Sequence, residues 1–134
     1  MNYLLVLLFL IQSATISPPP VVRTYDTIDA ESCQKLGQIA DNIQPELPKM
    51  VDKITRVDGV SVICSLKTFS YNKFLNVELK KFREGWLARK QGQWDQVNCE
   101  NEAFKPLIDR GWRFVQNFTF LSGERFAIVA KCDS

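Results

Sequence analysis

The residue types in this chain exclude the commonest arrangements of catalytic side chains. Histidine is absent, so neither a Ser-His nor a Cys-His pair can form, and the usual general base is missing. Carboxylates gather where helices are expected to begin, and that position favours helix capping over acid–base chemistry. These carboxylates are Asp26, Asp29, Glu31, Glu100 and Glu102. The sequence therefore predicts a protein that is not an enzyme and needs no cofactor.

Four cysteines, Cys33, Cys64, Cys99 and Cys132, are the other side chains with reactive chemistry. An even number of cysteines behind an export signal is typical of disulfides. A zinc site would call for closely spaced cysteines or for histidine ligands, and the sequence has neither. Two disulfides and no metal are therefore expected, and all three connectivities remain open.

A basic and aromatic stretch is the candidate binding surface. Apolar residues spaced by three and four predict a helix over residues 77–98, capped by Asn76 and bent or broken near residues 91–93. The candidate partner-binding rim on this helix consists of Lys80, Lys81, Arg83, Trp86, Arg89, Lys90 and Trp94. The alternative is that the tryptophans belong to the core and the cations are simply solvated. A groove between sheet and helices, or an exposed strand edge, is a second place where a peptide would bind.

The first residues have the pattern of an export signal. Residues 3–11 are almost wholly apolar and small or polar residues follow, and the apolar run is shorter than the about 20 residues that span a bilayer. We therefore predict a signal peptide at residues 1–17, a proline-rich extended linker at residues 18–26 and one domain at residues 27–134. No cysteine directly follows the leader, so no stable membrane anchor is expected.

The periodicity of the domain predicts helices and hairpins in a definite order. A first helix begins near residues 27–29, carries one apolar face and ends at Pro45 and Pro48. A hairpin around Asp58-Gly59, the long helix, a short helix between residues 101 and 110 and a hairpin around Ser122-Gly123 follow. The predicted fold is α+β, a mainly antiparallel sheet of about four strands with helices on one face, stapled by disulfides.

The stretch from Cys99 to Cys132 resembles a known family. A cysteine, a short helix, Leu-Ile-Asp-Arg-Gly at residues 107–111, an aromatic strand, Ser-Gly-Glu at residues 122–124 and a strand ending in cysteine follow one another. This order resembles small periplasmic proteins related to the type II secretion pilotins of the Vibrio and enterotoxigenic Escherichia coli kind. The resemblance implies an α+β domain and a disulfide between Cys99 and Cys132. The chain departs from pilotins in lacking the lipobox cysteine and in having the further pair Cys33 and Cys64.

The resemblance also implies a function. Pilotins grip a short helical segment at the C-terminus of a secretin subunit and escort it to the outer membrane, so the expected role is a periplasmic, pilotin-like accessory factor with a protein partner. That partner is a secretin C-terminal segment or another envelope protein. The alternative is a secreted or periplasmic inhibitor, such as an immunity protein against a toxin or hydrolase, and a virulence-associated envelope protein is a third reading. A net charge of +2 is too small to indicate nucleic acid as the partner.

Overall fold

The computed structural model describes residues 25–133. The predicted signal peptide at residues 1–17 and the linker up to residue 24 lie outside the described residues. The elements, in chain order, are α1 (Thr27–Ile43), β1 (Lys49–Met50), β2 (Thr55–Ile63), β3 (Thr68–Leu75), α2 (Trp86–Cys99), α3 (Lys105–Asp109), β4 (Arg113–Phe120) and β5 (Arg125–Val129).

The five strands form one sheet in the order β1-β2-β3-β4-β5. All neighbouring strands are antiparallel except β3 and β4, which run parallel. The parallel pair requires a crossover, and residues 76–112 provide it with α2 and α3. The α+β prediction is confirmed, with five strands in place of about four.

The core lies between the sheet and the helices. The helix-facing side of β4 is formed by Phe114, Phe118 and Phe120, and Phe69 of β3 lies beside Phe114. Each of these four rings is at most 3% exposed. From α1, the apolar stripe reaches the same core through Cys33, Leu36 and Ala40. The predicted apolar face of the first helix is therefore confirmed. The final hairpin around Ser122-Gly123 is also confirmed, because β4 and β5 pair antiparallel on either side of it.

The dipeptide Asp58-Gly59 does not form the predicted turn. It lies inside β2, where a bulge shifts the pairing with β3 between Val57 and Gly59. Asp58 instead pairs with the guanidinium of Arg56, two residues earlier. The chain reverses later, at a 3₁₀ turn over Cys64–Leu66 followed by Lys67 in the left-handed region at φ 46°. The position of the turn depends on contacts between residues that are far apart in the sequence. The turn propensity of a dipeptide does not include such contacts.

The second helix is shorter than predicted and begins at Trp86 instead of residue 77. Gly85 has φ +80° immediately before the helix, and a left-handed residue there breaks continuity with the preceding chain. Residues 79–81 form a single 3₁₀ turn. The predicted break near residues 91–93 is absent, and α2 runs without interruption to Cys99.

Two disulfides join the helices to the sheet. Cys33 of α1 pairs with Cys64 at the β2–β3 turn, with the Cα atoms 5.7 Å apart. Cys99 at the end of α2 pairs with Cys132 after β5, with the Cα atoms 5.5 Å apart. The second pairing is the one that the pilotin resemblance implies. Each bridge therefore holds one helix against one part of the sheet.

A buried ion pair fixes the start of α1. Asp29 is 1% exposed and forms a reciprocal capping box with Asp26. Its carboxylate accepts from Trp112 Nε1 at 3.1 Å and lies 3.1 Å from Lys67 Nζ. Desolvation alone would raise the pKa of Asp29, but hydrogen bonds from the Asp26 backbone, Lys67 and Trp112 outweigh it and lower the pKa to about 2.

This depressed pKa predicts how stability responds to acid. Because the folded state holds Asp29 ionised, its contribution is complete above the unfolded pKa of 3.8 and is lost as the pH falls towards about 2. Urea unfolding followed by tryptophan fluorescence is expected to show a steeper loss of stability over this interval in wild type than in Asp29→Asn. An exposed aspartate variant, Asp41→Asn, is the control. Parallel wild-type and Asp29→Asn curves would contradict this account.

Candidate functional site

Two adjoining hollows of about 320 and 200 Å³ lie between α2 and the helix-covered face of the sheet. Both are lined by Lys73, Trp94 and Val97, so together they form one groove. We call this surface the α2 groove. Its complete lining is Val57, Tyr71, Lys73, Lys90, Gln93, Trp94, Val97, Asn98, Phe104 and Gln116.

Secondary-structure periodicity brings these side chains together. In β3, Tyr71 and Lys73 alternate with outward residues and share the face of Phe69 and Leu75. In α2, the residues that line the groove are spaced by three and four, as one helical face requires. The sheet therefore forms the floor of the α2 groove and the helix forms its wall.

Trp94 is the fixed part of the wall. It is 9% exposed, and its indole Nε1 donates to the carbonyl of Phe114 at 2.9 Å. Its ring meets the ring of Tyr71 edge-on, with centroids 5.9 Å apart. The side-chain amide of Asn98 donates to the Trp94 carbonyl at 2.8 Å. The contacts of Trp94 with Phe114 and Tyr71 hold α2 against the sheet, and the bond from Asn98 lies within the helix, so the wall of the groove is ordered without a bound partner.

Lys73 introduces a cation into this apolar setting. Burial lowers the pKa of the Lys73 ammonium, the positive charge of Lys90 lowers it further, and the carboxylate of Asp52 acts in the opposite direction. Lys73 Nζ lies 6.0 Å from the centroid of the Phe118 ring. The ammonium is thus held in surroundings that favour an added negative charge.

Val97 is the apolar rim of the groove. It is 62% exposed on α2, next to the half-buried side chains of Tyr71 and Phe104. Covering this surface would remove apolar area from water, which is the main favourable contribution to association. The arrangement suits an apolar peptide segment better than a small polar solute.

The predicted rim residues divide between two places. Lys90 and Trp94 line the α2 groove, whereas Arg83 and Trp86 border a separate hollow of about 270 Å³ near the 3₁₀ turn. The remaining predicted residues, Lys80, Lys81 and Arg89, line neither hollow. The division arises because residues 77–85 do not belong to α2, so the predicted single helical face does not form.

Trp86 is part of the core. It is 8% exposed and its ring packs against Phe82, Phe118 and Phe120 at centroid distances of 5.2, 5.3 and 5.1 Å. The exposed cations beside it have local partners: Lys80 lies 3.2 Å from Glu78, and Arg89 donates to the Glu84 carbonyl at 3.1 Å.

The sequence patterns did not predict Lys73 and Phe104 as residues that line the groove. Lys73 stands at an inward position in the alternation of Phe69, Tyr71 and Leu75. A lysine at an apolar register is a signal that could have found it. Phe104 carries no comparable signal, because its place depends on the path of the chain between α2 and α3.

The opposite face of the sheet offers a different kind of surface. A hollow of about 410 Å³ lies there, bordered by Asn72, Asn117, Thr119 and Arg125. Asn117 Nδ2 donates to Asn72 Oδ1 at 3.0 Å, which joins β3 and β4 on this face. Phe118, Phe126 and Ala127 complete its border, so this hollow combines polar and apolar groups. The α2 groove remains the stronger candidate site because it joins an anchored aromatic wall to the exposed apolar side chain of Val97.

The described residues carry neither a metal-binding cluster nor a membrane-spanning helix. Within residues 25–133, no group of three or more His, Cys, Asp or Glu side chains is placed to hold a metal ion. None of the helices described in that range has the length and apolar content to cross a membrane.

Comparison with known proteins defines the class of fold. No protein-family model and no curated protein sequence matches the chain. Solved structures do: a candidate secreted protein of Pseudomonas aeruginosa superposes with a TM-score of 0.63 at 14% identity, over 80% of this chain and 95% of that chain.

Two further structures are pilotins. EpsS, from the type 2 secretion system of Vibrio vulnificus, has a TM-score of 0.51 and 13% identity, with 76% of this chain and 93% of that chain covered. AspS, the type II secretion pilotin of Vibrio cholerae, has a TM-score of 0.51 and 16% identity, with coverages of 76% and 94%. The chain therefore has a pilotin-like fold, as the resemblance over Cys99 to Cys132 indicated. At these identities the likeness establishes the fold alone.

Proposed function

We propose that this chain is an extracytoplasmic, pilotin-like accessory protein that binds a short segment of a protein partner in the α2 groove. The observation that carries the proposal is a preformed groove, with a largely apolar hollow bordered by Val57, Tyr71, Trp94, Val97 and Phe104, in a pilotin-like fold. The proposed organisation is an exported chain with a signal peptide at residues 1–17, a linker at residues 18–26 and one binding domain at residues 27–134, acting in the periplasm or outside the cell.

The proposed mechanism is capture without chemistry. Trp94 is anchored to the sheet by its hydrogen bond to Phe114, and the bridge from Cys99 to Cys132 holds the end of α2. A groove that is already ordered loses little conformational freedom when a peptide enters, and this raises affinity for a given contact area. Neither a cofactor nor a catalytic group takes part in this mechanism.

The specific partner that we propose is the C-terminal segment of a secretin subunit. The pilotin resemblance of the sequence and the fold shared with EpsS and AspS both support this choice. A short peptide also matches the size of the groove better than a folded domain, since the two hollows are about 320 and 200 Å³.

Substitution at the rim predicts loss of binding without loss of the fold. Val97→Asp places a charge where the partner would remove apolar surface from water, and it is expected to weaken capture at least about tenfold. Because Val97 is 62% exposed, stability should change little. Leu66→Asp is the matched control, since Leu66 is 63% exposed and lies outside the groove.

The experiment uses the oxidised chain from residue 18 onward as bait in envelope extract of the source organism. All described elements, the core and both disulfides lie within residues 25–133, so this bait retains the complete domain. The proposal expects a secretin subunit to be retained by wild type and Leu66→Asp, not by Val97→Asp, and to be lost when its C-terminal segment is removed. Retention of a folded toxin or hydrolase would favour the inhibitor instead, and retention of nothing would overturn the proposed role.

A further inference from the structure

Two lysines face the α2 groove without a carboxylate partner. Lys73 extends from β3 and Lys90 from α2, and both line the same hollow of about 320 Å³. Both side chains are partly buried. No carboxylate of the described residues lies within 4.0 Å of either ammonium. The groove therefore presents two positive charges that no nearby carboxylate neutralises, beside apolar side chains.

Another partly buried lysine of the domain does have a carboxylate partner. Lys67, with 12% of its side chain exposed, lies 3.1 Å from the Asp29 carboxylate and donates to the Arg110 carbonyl at 3.0 Å. This contrast matters because a partly buried ammonium normally has a carboxylate or a carbonyl within reach. Lys73 has instead the Phe118 ring at 6.0 Å.

Asp52 is the acidic side chain that acts on this site, and it does not serve as the missing partner. Its Oδ1 accepts from the backbone N–H groups of Ile54 and Thr55 at 2.9 and 2.7 Å. These bonds hold the carboxylate in the loop between β1 and β2. Its charge acts on both Lys73 and Lys90, but its carboxylate lies more than 4.0 Å from either ammonium, so neither lysine forms a salt bridge with it.

We propose that the segment bound in the α2 groove carries one Asp or Glu side chain that lies between Lys73 and Lys90, flanked by apolar residues that contact Val57, Tyr71 and Val97. This inference rests on the proposed function and adds the chemistry of the partner to it. A carboxylate there accepts charge-assisted hydrogen bonds from two ammonium groups in a site shielded from water, where such bonds are strong.

The geometry favours an acidic residue within an apolar peptide over a polyanion. Of the residues that the structure describes, Lys73 and Lys90 are the only cations that line the groove, and Trp94 and Val97 of α2 line it beside them. A nucleic acid or an anionic lipid surface would need a broad basic patch. The net charge of the whole chain is +2.

The test is selection from a library of random peptides about a dozen residues long, displayed so that their C-terminal ends are fused and carry no free carboxylate. The baits are the oxidised domain from residue 18 onward as wild type, as Val97→Asp, as Lys73→Met with Lys90→Met, and as Lys80→Met with Lys81→Met. The last bait loses the same charge outside the groove, and circular dichroism verifies that every bait is folded.

The proposal expects wild type and the Lys80/Lys81 variant to enrich apolar peptides with an acid at a fixed position. It also expects that peptides selected on the Lys73/Lys90 variant have no preferred acidic residue at that position. In one enriched peptide, Glu→Gln should weaken binding to wild type about tenfold and leave binding to the Lys73/Lys90 variant unchanged. Enriched apolar peptides without an acid would overturn this inference and leave the groove intact. Equal enrichment on Val97→Asp and wild type would overturn the groove itself, and with it this inference.

Discussion

Trp86→Ala is expected to lower the free energy of unfolding by about 3–5 kcal/mol, the range typical of a large aromatic side chain removed from a core. Trp86 is 8% exposed and its ring lies within 5.3 Å, centroid to centroid, of Phe82, Phe118 and Phe120. Removing the indole leaves a cavity between the first turn of α2 and β4. Since Phe118 also lies beneath Lys73, the floor of the α2 groove should loosen as well.

Chemical denaturation measures this effect, and Leu87→Ala is the adjacent control. Leu87 is the next residue of the same helix and is 41% exposed, so its truncation should cost much less. The opposite behaviour, in which Trp86→Ala keeps wild-type stability and loses partner binding, would show that Trp86 is a contact residue and that the core has been assigned wrongly.

Removing the bridge between Cys99 and Cys132 is expected to destabilise the domain by about 3 kcal/mol. The bridge closes a loop with a sequence separation of 33, and opening it gives the unfolded chain more freedom. The double variant Cys99→Ser with Cys132→Ser avoids leaving an unpaired thiol. An unchanged melting temperature would contradict a structural role for this bridge.

The other bridge provides a matched comparison. Cys33 and Cys64 have a sequence separation of 31, so loop entropy predicts a similar loss of stability from their double serine variant. Only the bridge at Cys99 adjoins the α2 groove, one residue beyond Asn98. At a temperature where both variants are folded, peptide binding should therefore weaken more when the bridge between Cys99 and Cys132 is absent.

Local sequence patterns predicted the elements that are held together by residues close to one another in the sequence. The stripe through Cys33, Leu36 and Ala40 specifies one helical face, and the alternation on either side of Ser122-Gly123 specifies a hairpin. In both cases the side chains that decide the structure lie within a few turns or a few residues of each other.

Elements that depend on distant contacts were not predicted. Asp58-Gly59 has strong turn propensity, yet the chain reverses where Cys64 is tied to Cys33 and Lys67 meets Asp29. The parallel pairing of β3 with β4 likewise joins strands that are separated by residues 76–112. Such pairings depend on packing across the whole domain, which periodicity does not encode.

The candidate site was predicted only in part, for the same reason. The basic, aromatic stretch predicts Lys90 and Trp94 as binding residues, and both line the α2 groove; their role in binding stays a prediction. Lys73 was not predicted, because the hairpin expected around Asp58-Gly59 left the strand at residues 68–75 unidentified. The groove exists only where β3 passes beneath α2, and the crossover after residue 75 determines that arrangement.

Site-specific photocrosslinking tests peptide capture in the α2 groove most directly. A photoreactive residue is placed at position 97 in the groove, at position 66 on an exposed turn, or at position 127 on the outer face of the sheet, and each oxidised domain is irradiated in envelope extract. We predict that position 97 crosslinks to a short apolar segment at the C-terminus of a secretin subunit and that positions 66 and 127 do not. Crosslinks of that subunit at position 66 or 127, with none at position 97, would contradict the account.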